Sequence, residues 1–143
     1  MNILILNGPN LNLLGIREVD VYGSASYDAL LSHLNTVSTS LGLRITVKQS
    51  NHEGVLIDAL HDAHKDQCDG IILNAGALSH YSYALRDAIA AIDVPVLEVH
   101  LSDLPSRKES FRHHSVLHDV VQAVFMGRGF DSYTDALNYF HKR

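Results

Sequence analysis

The sequence is poor in the residues that mark several large classes of protein. Its 143 residues include one cysteine, no tryptophan, three prolines and nine glycines. A single cysteine cannot form a disulfide within the chain, and so few prolines and glycines exclude a collagen-like or low-complexity protein. The apolar run at residues 3–6 is too short for an export signal or a membrane span and has no basic leader. We therefore expect a cytoplasmic protein without a membrane segment.

Positive charge is also scarce. Eleven Lys and Arg residues face sixteen Asp and Glu residues, which gives a net charge of −5 with neutral histidine. A nucleic-acid-binding protein with a strong basic surface is therefore not expected. The 46% hydrophobic content supports a buried core rather than a disordered chain, and the length fits one domain over residues 1–143. Histidine is unusually frequent, with ten residues. Composition alone does not assign these histidines to metal binding, proton transfer or pH response.

Short apolar runs alternate with segments of helical periodicity along the whole chain. The run at 3–6 has no polar alternation, which is typical of a strand buried on both faces of a parallel sheet. Further strands are predicted at 44–49, 71–73, 94–100 and 120–126. Helices are predicted at 27–41, with Ser24 or Ser26 as N-cap and Gly42 as terminator, at 54–66, from 81 to 92, and from an Asp131 or Ser132 cap to about 139. Five β-then-α units predict an α/β fold with helices on both faces of a parallel sheet.

Polar segments follow four of the predicted strands, at residues 7–10, 49–53, 74–80 and 98–102. Ligands of such sheets bind outside the carboxyl ends of the strands, near the point where the strand order reverses. We therefore expect these four segments to converge on one cleft. Residues 7–24 show no strand or helix period, and long loops of this kind are usually functional or disordered.

Glu98 and His100 form the clearest candidate pair. They lie two residues apart on a predicted strand, so their side chains leave the same face. A carboxylate beside an imidazole favours the imidazolium and fixes the ring tautomer, which provides a proton donor or base near neutral pH. The alternative is a pair without catalytic consequence, since a charged residue in an apolar strand needs a partner in any case.

Three further candidates are ambiguous from the residues alone. Arg17 and Tyr22 share the long loop, and a guanidinium close to a phenol lowers the phenol pKa. The residues alone favour the alternative, because loop arginines are usually solvated and a loop tyrosine often packs its ring and leaves its hydroxyl in water. Asp87 lies opposite the apolar stripe of its predicted helix, which indicates a surface acid unless a partner subunit covers it. His80 would share one side of this helix with Asp87 if the helix began early.

No metal or nucleotide motif is present. A zinc site needs three or four converging ligands, whereas His61 and His64 are a lone i, i+3 pair and His113 and His114 are merely adjacent. Cys68 is the one thiol and lies in a polar turn. A phosphate-binding G-x-x-x-x-G-K-[ST] sequence is absent as well. The sequence therefore predicts no metal and no nucleotide cofactor.

Seven runs of the chain, in order, closely resemble type II 3-dehydroquinate dehydratases. They are NGPNLNLLGIRE at 7–18, VYG at 21–23, QSNHEG at 49–54, LNAG at 73–76, ALRD at 84–87, EVHLS at 98–102 and FRHHS at 111–115. The resemblance implies a flavodoxin-like three-layer sandwich with a five-stranded parallel sheet, and no cofactor. It also implies dehydration of 3-dehydroquinate to 3-dehydroshikimate by anti elimination through an enolate, in the shikimate pathway of aromatic amino-acid biosynthesis. The implied assembly is a homo-dodecamer, a tetramer of trimers.

The same resemblance implies roles for individual residues. Tyr22 would be the general base and Arg17 its activator, while His100 would be the general acid, oriented by Glu98. Asn10 would hold the water or oxyanion contact at the enolate. The substrate-binding residues implied are Asn74, His80 and Arg112 for the hydroxyls, the backbone N–H groups of Leu101 and Ser102 for the carboxylate, and Asp87 from a neighbouring subunit.

The sequence departs from the family pattern after Ser102. The segment RKESFR at 107–112 holds one residue more between its arginines than the family pattern. Alignment on the FRHHS run assigns the hydroxyl contact to Arg112, whereas alignment from Ser102 fixes only Arg107. We expect Arg112 to make this contact, with Arg107 as a second contact or a lid residue.

A flavin carrier or a phosphoreceiver with the same fold is the rival class. A receiver needs acidic residues after the first strand and an aspartate after the third, where this chain has Asn7 and Asn74. A flavin carrier needs a hydroxyl-rich loop after the first strand, where Asn-Gly-Pro-Asn provides no Ser or Thr. Both alternatives are therefore disfavoured.

Overall fold

The computed structural model describes residues 1–16, 20 and 24–143. These residues form a three-layer α/β structure with a five-stranded parallel sheet between two pairs of helices. The strands are β1 (Asn2–Asn7), β2 (Arg44–Gln49), β3 (Gly70–Asn74), β4 (Val96–His100) and β5 (Ala123–Met126). The helices are α1 (Tyr27–Leu41), α2 (Glu53–Lys65), α3 (Tyr83–Ala91) and α4 (Asp131–His141). In the described part of the chain, every helix is too short or too polar to cross a membrane.

The strand order is β2-β1-β3-β4-β5, and every neighbouring pair is parallel. The chain leaves β1 on one side to form β2 and crosses back to the other side to form β3. This reversal creates a switch point between the carboxyl ends of β1 and β3, where open α/β sheets bind ligands. The predicted flavodoxin-like fold class is confirmed.

Each face of the sheet has its own apolar core. Along β1, Ile3 and Ile5 face the side covered by α1 and α4, whereas Leu4 and Leu6 face the side covered by α2 and α3. All four side chains are buried, which explains why this strand shows no polar alternation in sequence. Burial of each such side chain contributes about 1.5–3 kcal/mol. The two cores therefore hold the carboxyl edge of the sheet as a rigid platform.

The ends of α1 follow the predicted signals. The Ser26 side chain accepts a hydrogen bond from the Ala29 amide at 3.1 Å, which satisfies one of the free N–H groups of the first turn. Gly42 ends the helix with φ of 70°, a left-handed conformation that glycine adopts without a steric penalty. Of the two predicted N-caps, Ser26 is therefore the one used.

The predicted start of α3 is wrong. Residues Gly76–His80 form a separate 3-10 helix, and α3 begins only at Tyr83. The cause is Ser82, whose hydroxyl accepts from the Leu85 amide at 3.1 Å and caps the helix there. His80 therefore precedes α3 and does not share a helix face with Asp87.

Other predicted boundaries differ as well, most of them by one or two residues. The amides of Val120 and Val121 both donate to the carbonyl of Leu117, so a turn replaces the first part of the predicted fifth strand. Strand β4 begins at Val96 rather than at 94. Helix α4 has Phe130 at its N-cap without a side-chain cap, so neither predicted cap is used: Asp131 and Ser132 are already helical, and the Ser132 hydroxyl accepts from the Arg128 amide.

Candidate active site

A small cavity of about 110 Å³ opens at the carboxyl ends of β1, β3 and β4. It collects polar residues from three of the four predicted segments, at 7–10, 74–80 and 98–102, whereas no residue of the fourth segment, 49–53, lines it. The predicted site residues that line it are Asn10, Asn74, His80, His100, Leu101, Ser102 and Arg112. Arg107 lines it as well. The volume suits a small molecule rather than a dinucleotide or a macromolecular segment.

Glu98 and His100 form a buried pair beside the cavity. Their side chains leave the same face of β4, and His100 Nε2 lies in contact with Glu98 Oε2. The Glu98 residue is fully buried and His100 is 5% exposed. Because the carboxylate engages Nε2, the second ring nitrogen, Nδ1, is the one that can serve a ligand in the cavity. The arrangement can therefore hold a proton donor at the cavity wall.

His80 lines the cavity from the 3-10 helix before α3. Its Nδ1–H donates to the carbonyl of His114 at 2.7 Å, and its ring meets the edge of Phe111 with the centroids 6.0 Å apart. Burial lowers the pKa of His80, and the nearby His100, Arg112 and Arg107 lower it further against the opposing effect of the His114 carbonyl. These effects together favour the neutral form of the His80 ring.

Both candidate arginines line the cavity. Arg107 Nη1 donates to the Ser102 hydroxyl at 3.3 Å. Arg112 lies over the ring of Phe111, with its guanidinium carbon 4.8 Å from the centroid, and its Nε is 3.3 Å from a carboxylate oxygen of Glu109. Arg112 lies in a 3-10 helix at Ser110–His113. The two alignments of this segment therefore lead to one site that contains both cations.

Hydrogen bonds hold the loop after β1 on both sides. The Gly8 amide donates to the carbonyl of Asn74 at 2.7 Å, and Gln49 Nε2 donates to the Gly8 carbonyl at 3.1 Å. Asn10 adopts a left-handed conformation with φ of 69°, and its amide donates to Asn51 Oδ1 at 3.0 Å. Asparagine tolerates this conformation better than most residues. The loop thus presents Asn10 at the cavity from a defined backbone position.

Asn74 belongs to a buried network that the sequence analysis missed. Asn74 Nδ2 donates to the Tyr133 hydroxyl at 3.0 Å, and this hydroxyl donates to Asn7 Oδ1 at 2.6 Å. The Gly76 amide donates to Asn74 Oδ1 at 3.2 Å. Tyr133 is fully buried, which raises its pKa and keeps the phenol protonated. The network fixes the carboxamide of Asn74 and leaves its second N–H for a ligand.

The remaining predicted residues lie elsewhere or outside the described residues. Asp87 is exposed on α3 and does not line the cavity. Arg17 and Tyr22 both lie outside the described residues. The described groups at the cavity are therefore His100 with its partner Glu98, the two arginines, and the carboxamides of Asn10 and Asn74.

The cavity is cationic although the chain as a whole carries a net charge of −5. Arg107 and Arg112 provide permanent positive charge, and the imidazole of His100 adds a group that can carry a proton. Such a site favours a small anion with several hydrogen-bonding groups. A buried proton donor next to an anion-binding site suits an elimination in which a hydroxyl leaves as water.

The chain matches the profile of the family described as dehydroquinase class II over residues 1–141. It is 55% identical over 139 residues to a 3-dehydroquinate dehydratase of Bacillus licheniformis, covering 97% of this chain and 94% of the relative. It is 48% identical over 143 residues to a 3-dehydroquinate dehydratase of Herpetosiphon aurantiacus, covering 100% and 98% of the two chains.

Solved structures agree with the sequence relatives. The type II dehydroquinase of Butyrivibrio crossotus superposes with a TM-score of 0.95 at 42% identity, covering 98% of this chain and 97% of that one. The type II dehydroquinase of Propionibacterium acnes gives a TM-score of 0.94 at 37% identity, with 99% and 97% covered. On its profile, relatives and fold, the chain belongs to the class II dehydroquinase family of lyases.

Proposed function

We propose that this chain dehydrates 3-dehydroquinate to 3-dehydroshikimate in the shikimate pathway of aromatic amino-acid biosynthesis, by anti elimination through an enolate. The observation that carries the proposal is the buried Glu98–His100 pair at the wall of a small cationic cavity. Support comes from the curated relatives named 3-dehydroquinate dehydratase, which match nearly the whole chain.

The substrate is a carboxylate with several hydroxyls, and the cavity provides donors for both kinds of group. The backbone N–H groups of Leu101 and Ser102 receive the carboxylate, because fixed dipoles hold an anion with little reorganisation. The hydroxyls bind Arg112, His80 and the free N–H of Asn74. Arg107, already bonded to Ser102, makes a second polar contact on the same side.

The first chemical step removes the proton α to the ketone. The phenolate of Tyr22, activated by Arg17, takes this proton, and the electron pair moves onto the carbonyl oxygen as an enolate. Asn10 stabilises the enolate oxygen directly or through a water. Tyr22 and Arg17 are assigned through the family pattern, while Asn10 lines the described cavity.

The second step expels water. The enolate re-forms the ketone, the new carbon–carbon double bond forms, and the carbon–oxygen bond to the β-hydroxyl breaks. His100 donates its Nδ1 proton to the leaving oxygen, while Glu98 balances the charge of the imidazolium from Nε2. Base and acid act on opposite faces of the ring, which makes the elimination anti. No cofactor takes part in either step.

Asp87 requires a second subunit in this proposal. Its side chain is exposed on α3 and away from the cavity of its own chain. In a homo-dodecamer built as a tetramer of trimers, it would enter the site of a neighbour and contact the substrate. The cytoplasmic location expected from the composition likewise stays a prediction.

The proposal is tested by mixing the protein with 3-dehydroquinate and following the ultraviolet absorbance of the conjugated enone product. We expect turnover by the wild-type protein and none by Tyr22→Phe, which still binds substrate because only the proton-accepting oxygen is lost. Tyr83→Phe is the control, since the Tyr83 side chain is exposed on α3. A kcat of Tyr22→Phe close to that of the wild type would contradict the assignment.

A further inference from the structure

A second imidazole lies beside the Glu98 carboxylate. His118 Nε2 is 3.7 Å from Glu98 Oε2, the same oxygen that contacts His100. One ligand atom from each of Glu98, His100 and His118 lies within 4.8 Å of the other two. In the described part of the chain, the other carboxylate oxygen, Oε1 of the fully buried Glu98, has no hydrogen-bond partner.

The position of His118 is set by its neighbours in the chain. Leu117 is fully buried in the core, and Arg86 of α3 donates to the carbonyl of Val116 at 2.8 Å. Arg86 also binds both carboxylate oxygens of Asp119, with Nη2 2.9 Å from Oδ2. The backbone of residues 116–119 is therefore anchored on both sides of His118, which places its imidazole near Glu98.

We propose that Glu98, His100 and His118 form a binding site for a divalent transition-metal ion of the Zn²⁺ class. Two imidazoles and one carboxylate are a ligand set that zinc uses with a fourth position open to water. Mg²⁺ and Ca²⁺ prefer sites made mainly of oxygen and fit this set poorly. The ion would lie beside Oε2, the Glu98 oxygen that both imidazoles approach, and its charge would offset that of the buried carboxylate.

The three side chains must rearrange to hold an ion. Ligand atoms at about 2.1 Å from a tetrahedral ion lie about 3.4 Å apart, whereas the present separations reach at most 4.8 Å. The His118 side chain is 39% exposed, so it has room to move and provides the entry path for the ion. Nε2 of His100 and Oε2 of Glu98, which are in contact at present, must also separate to admit the ion between them.

The expected consequence rests on the proposed function. A metal ion on His100 Nε2 replaces the proton that makes the ring an imidazolium. The Nδ1–H that remains then belongs to a metal-bound neutral imidazole, and its loss would leave an imidazolate. Such a ring is a far weaker acid than the imidazolium near neutral pH, so it cannot protonate the leaving oxygen. The ion is therefore a reversible inhibitor of the lyase, in competition with protons, and not its cofactor.

The binding test uses Co²⁺ with the assembled wild-type protein, without substrate. We expect one Co²⁺ per chain with visible absorption bands of a low-coordinate site, and displacement of these bands by Zn²⁺. In His118→Asn and His118→Ser, Co²⁺ affinity at this site falls at least about tenfold. His61→Asn, on the exposed face of α2, is the control and keeps the bands. Equal spectra from wild type and both His118 variants, or loss of the bands in His61→Asn, would overturn the proposal.

The activity test measures inhibition by Zn²⁺ relative to the metal-free rate of each protein. Wild-type turnover should fall with Zn²⁺ and return on addition of a chelator, while both His118 variants need at least about tenfold more Zn²⁺. Cobalt bands that depend on His118, without any effect of Zn²⁺ on turnover, would overturn the assignment of His100 as a ligand. Absence of turnover in metal-free protein would contradict the proposed function instead, and the cobalt spectra would still decide the metal site.

Discussion

His100 Nε2 contacts Glu98 Oε2 on one face of β4, and the two side chains are almost completely buried. A carboxylate in such a position is stable only with a partner, because the desolvation cost of an unpaired buried charge is large. This one contact therefore stabilises the end of β4 and, in the proposed function, also orients the general acid.

A double-mutant cycle on this pair tests its contribution to stability. We expect His100→Gln to lower the free energy of unfolding by about 1–3 kcal/mol, since the buried Glu98 carboxylate loses the imidazole that contacts it. The double variant Glu98→Gln with His100→Gln should lose less than the sum of the single variants, because no buried charge remains. Denaturant unfolding of the four proteins measures this difference. Strict additivity would show that the two side chains do not interact.

Tyr133→Phe removes the hydroxyl that joins Asn7 to Asn74. We expect the free energy of unfolding to fall by about 1–3 kcal/mol, because buried polar groups of both asparagines lose a partner. The KM should rise as well, since the carboxamide of Asn74 loses its anchor. Tyr139→Phe on the same helix is the control, as the Tyr139 hydroxyl has no hydrogen-bond partner among the described residues. Equal stability and KM in the two variants would contradict a positioning role for Tyr133.

Gly8→Ala and Gly54→Ala should have opposite effects. A Cβ at Gly8 would lie 2.5 Å from the carbonyl oxygen of Ala75, so the loop after β1 must shift. We expect a loss of about 1–3 kcal/mol in the free energy of unfolding and a higher KM. Gly54 lies in the first turn of α2 with no atom within 4 Å of its Cβ position, and alanine there should stabilise by about 0.4–1 kcal/mol. Thermal unfolding of the two variants compares them directly.

The pH dependence of stability should include a contribution from His80. Its pKa is lowered from the ordinary value of 6.5 by burial first and then by His100, Arg112 and Arg107. Below pH 6.5 the unfolded chain binds a proton that the folded chain resists, so stability falls as the pH falls through this value towards the folded-state pKa. An NMR titration of the His80 ring should give a midpoint below 6.5, and His80→Gln should reduce the slope of stability against pH. A midpoint at or above 6.5 would refute this assignment.

Apolar runs and helix-capping residues predicted much of the fold, because each depends on the burial or hydrogen bonding of its own short segment. The unbroken apolar run of β1 follows from burial on both faces, and Ser26 and Gly42 mark the ends of α1 through their own hydrogen bonding and backbone freedom. The spacing of two between Glu98 and His100 was enough to place both on one face of β4. These features need no knowledge of distant parts of the chain.

Long-range contacts were the part that sequence patterns did not reveal. Tyr133 reaches Asn7 across 126 positions, and its apolar surroundings in α4 made it resemble an ordinary core residue. His118 approaches Glu98 because distant residues anchor its segment, with Leu117 buried in the core and Arg86 of α3 bonded to Val116. A search for polar residues within the apolar stripe of α4 would have marked Tyr133 as a candidate, whereas no local signal marks His118.

The proposed mechanism assigns proton removal to Tyr22 and protonation of the leaving oxygen to His100. Hydrogen exchange in heavy water tests these two roles separately. His100→Gln, shown by circular dichroism to be folded, is incubated with 3-dehydroquinate in D₂O, and NMR follows deuterium at the α carbon together with 3-dehydroshikimate. The account predicts that deuterium enters unreacted substrate while product forms about 10²–10⁴-fold more slowly than with the wild type, because the base survives and the acid is lost. Product formation at the wild-type rate would contradict it.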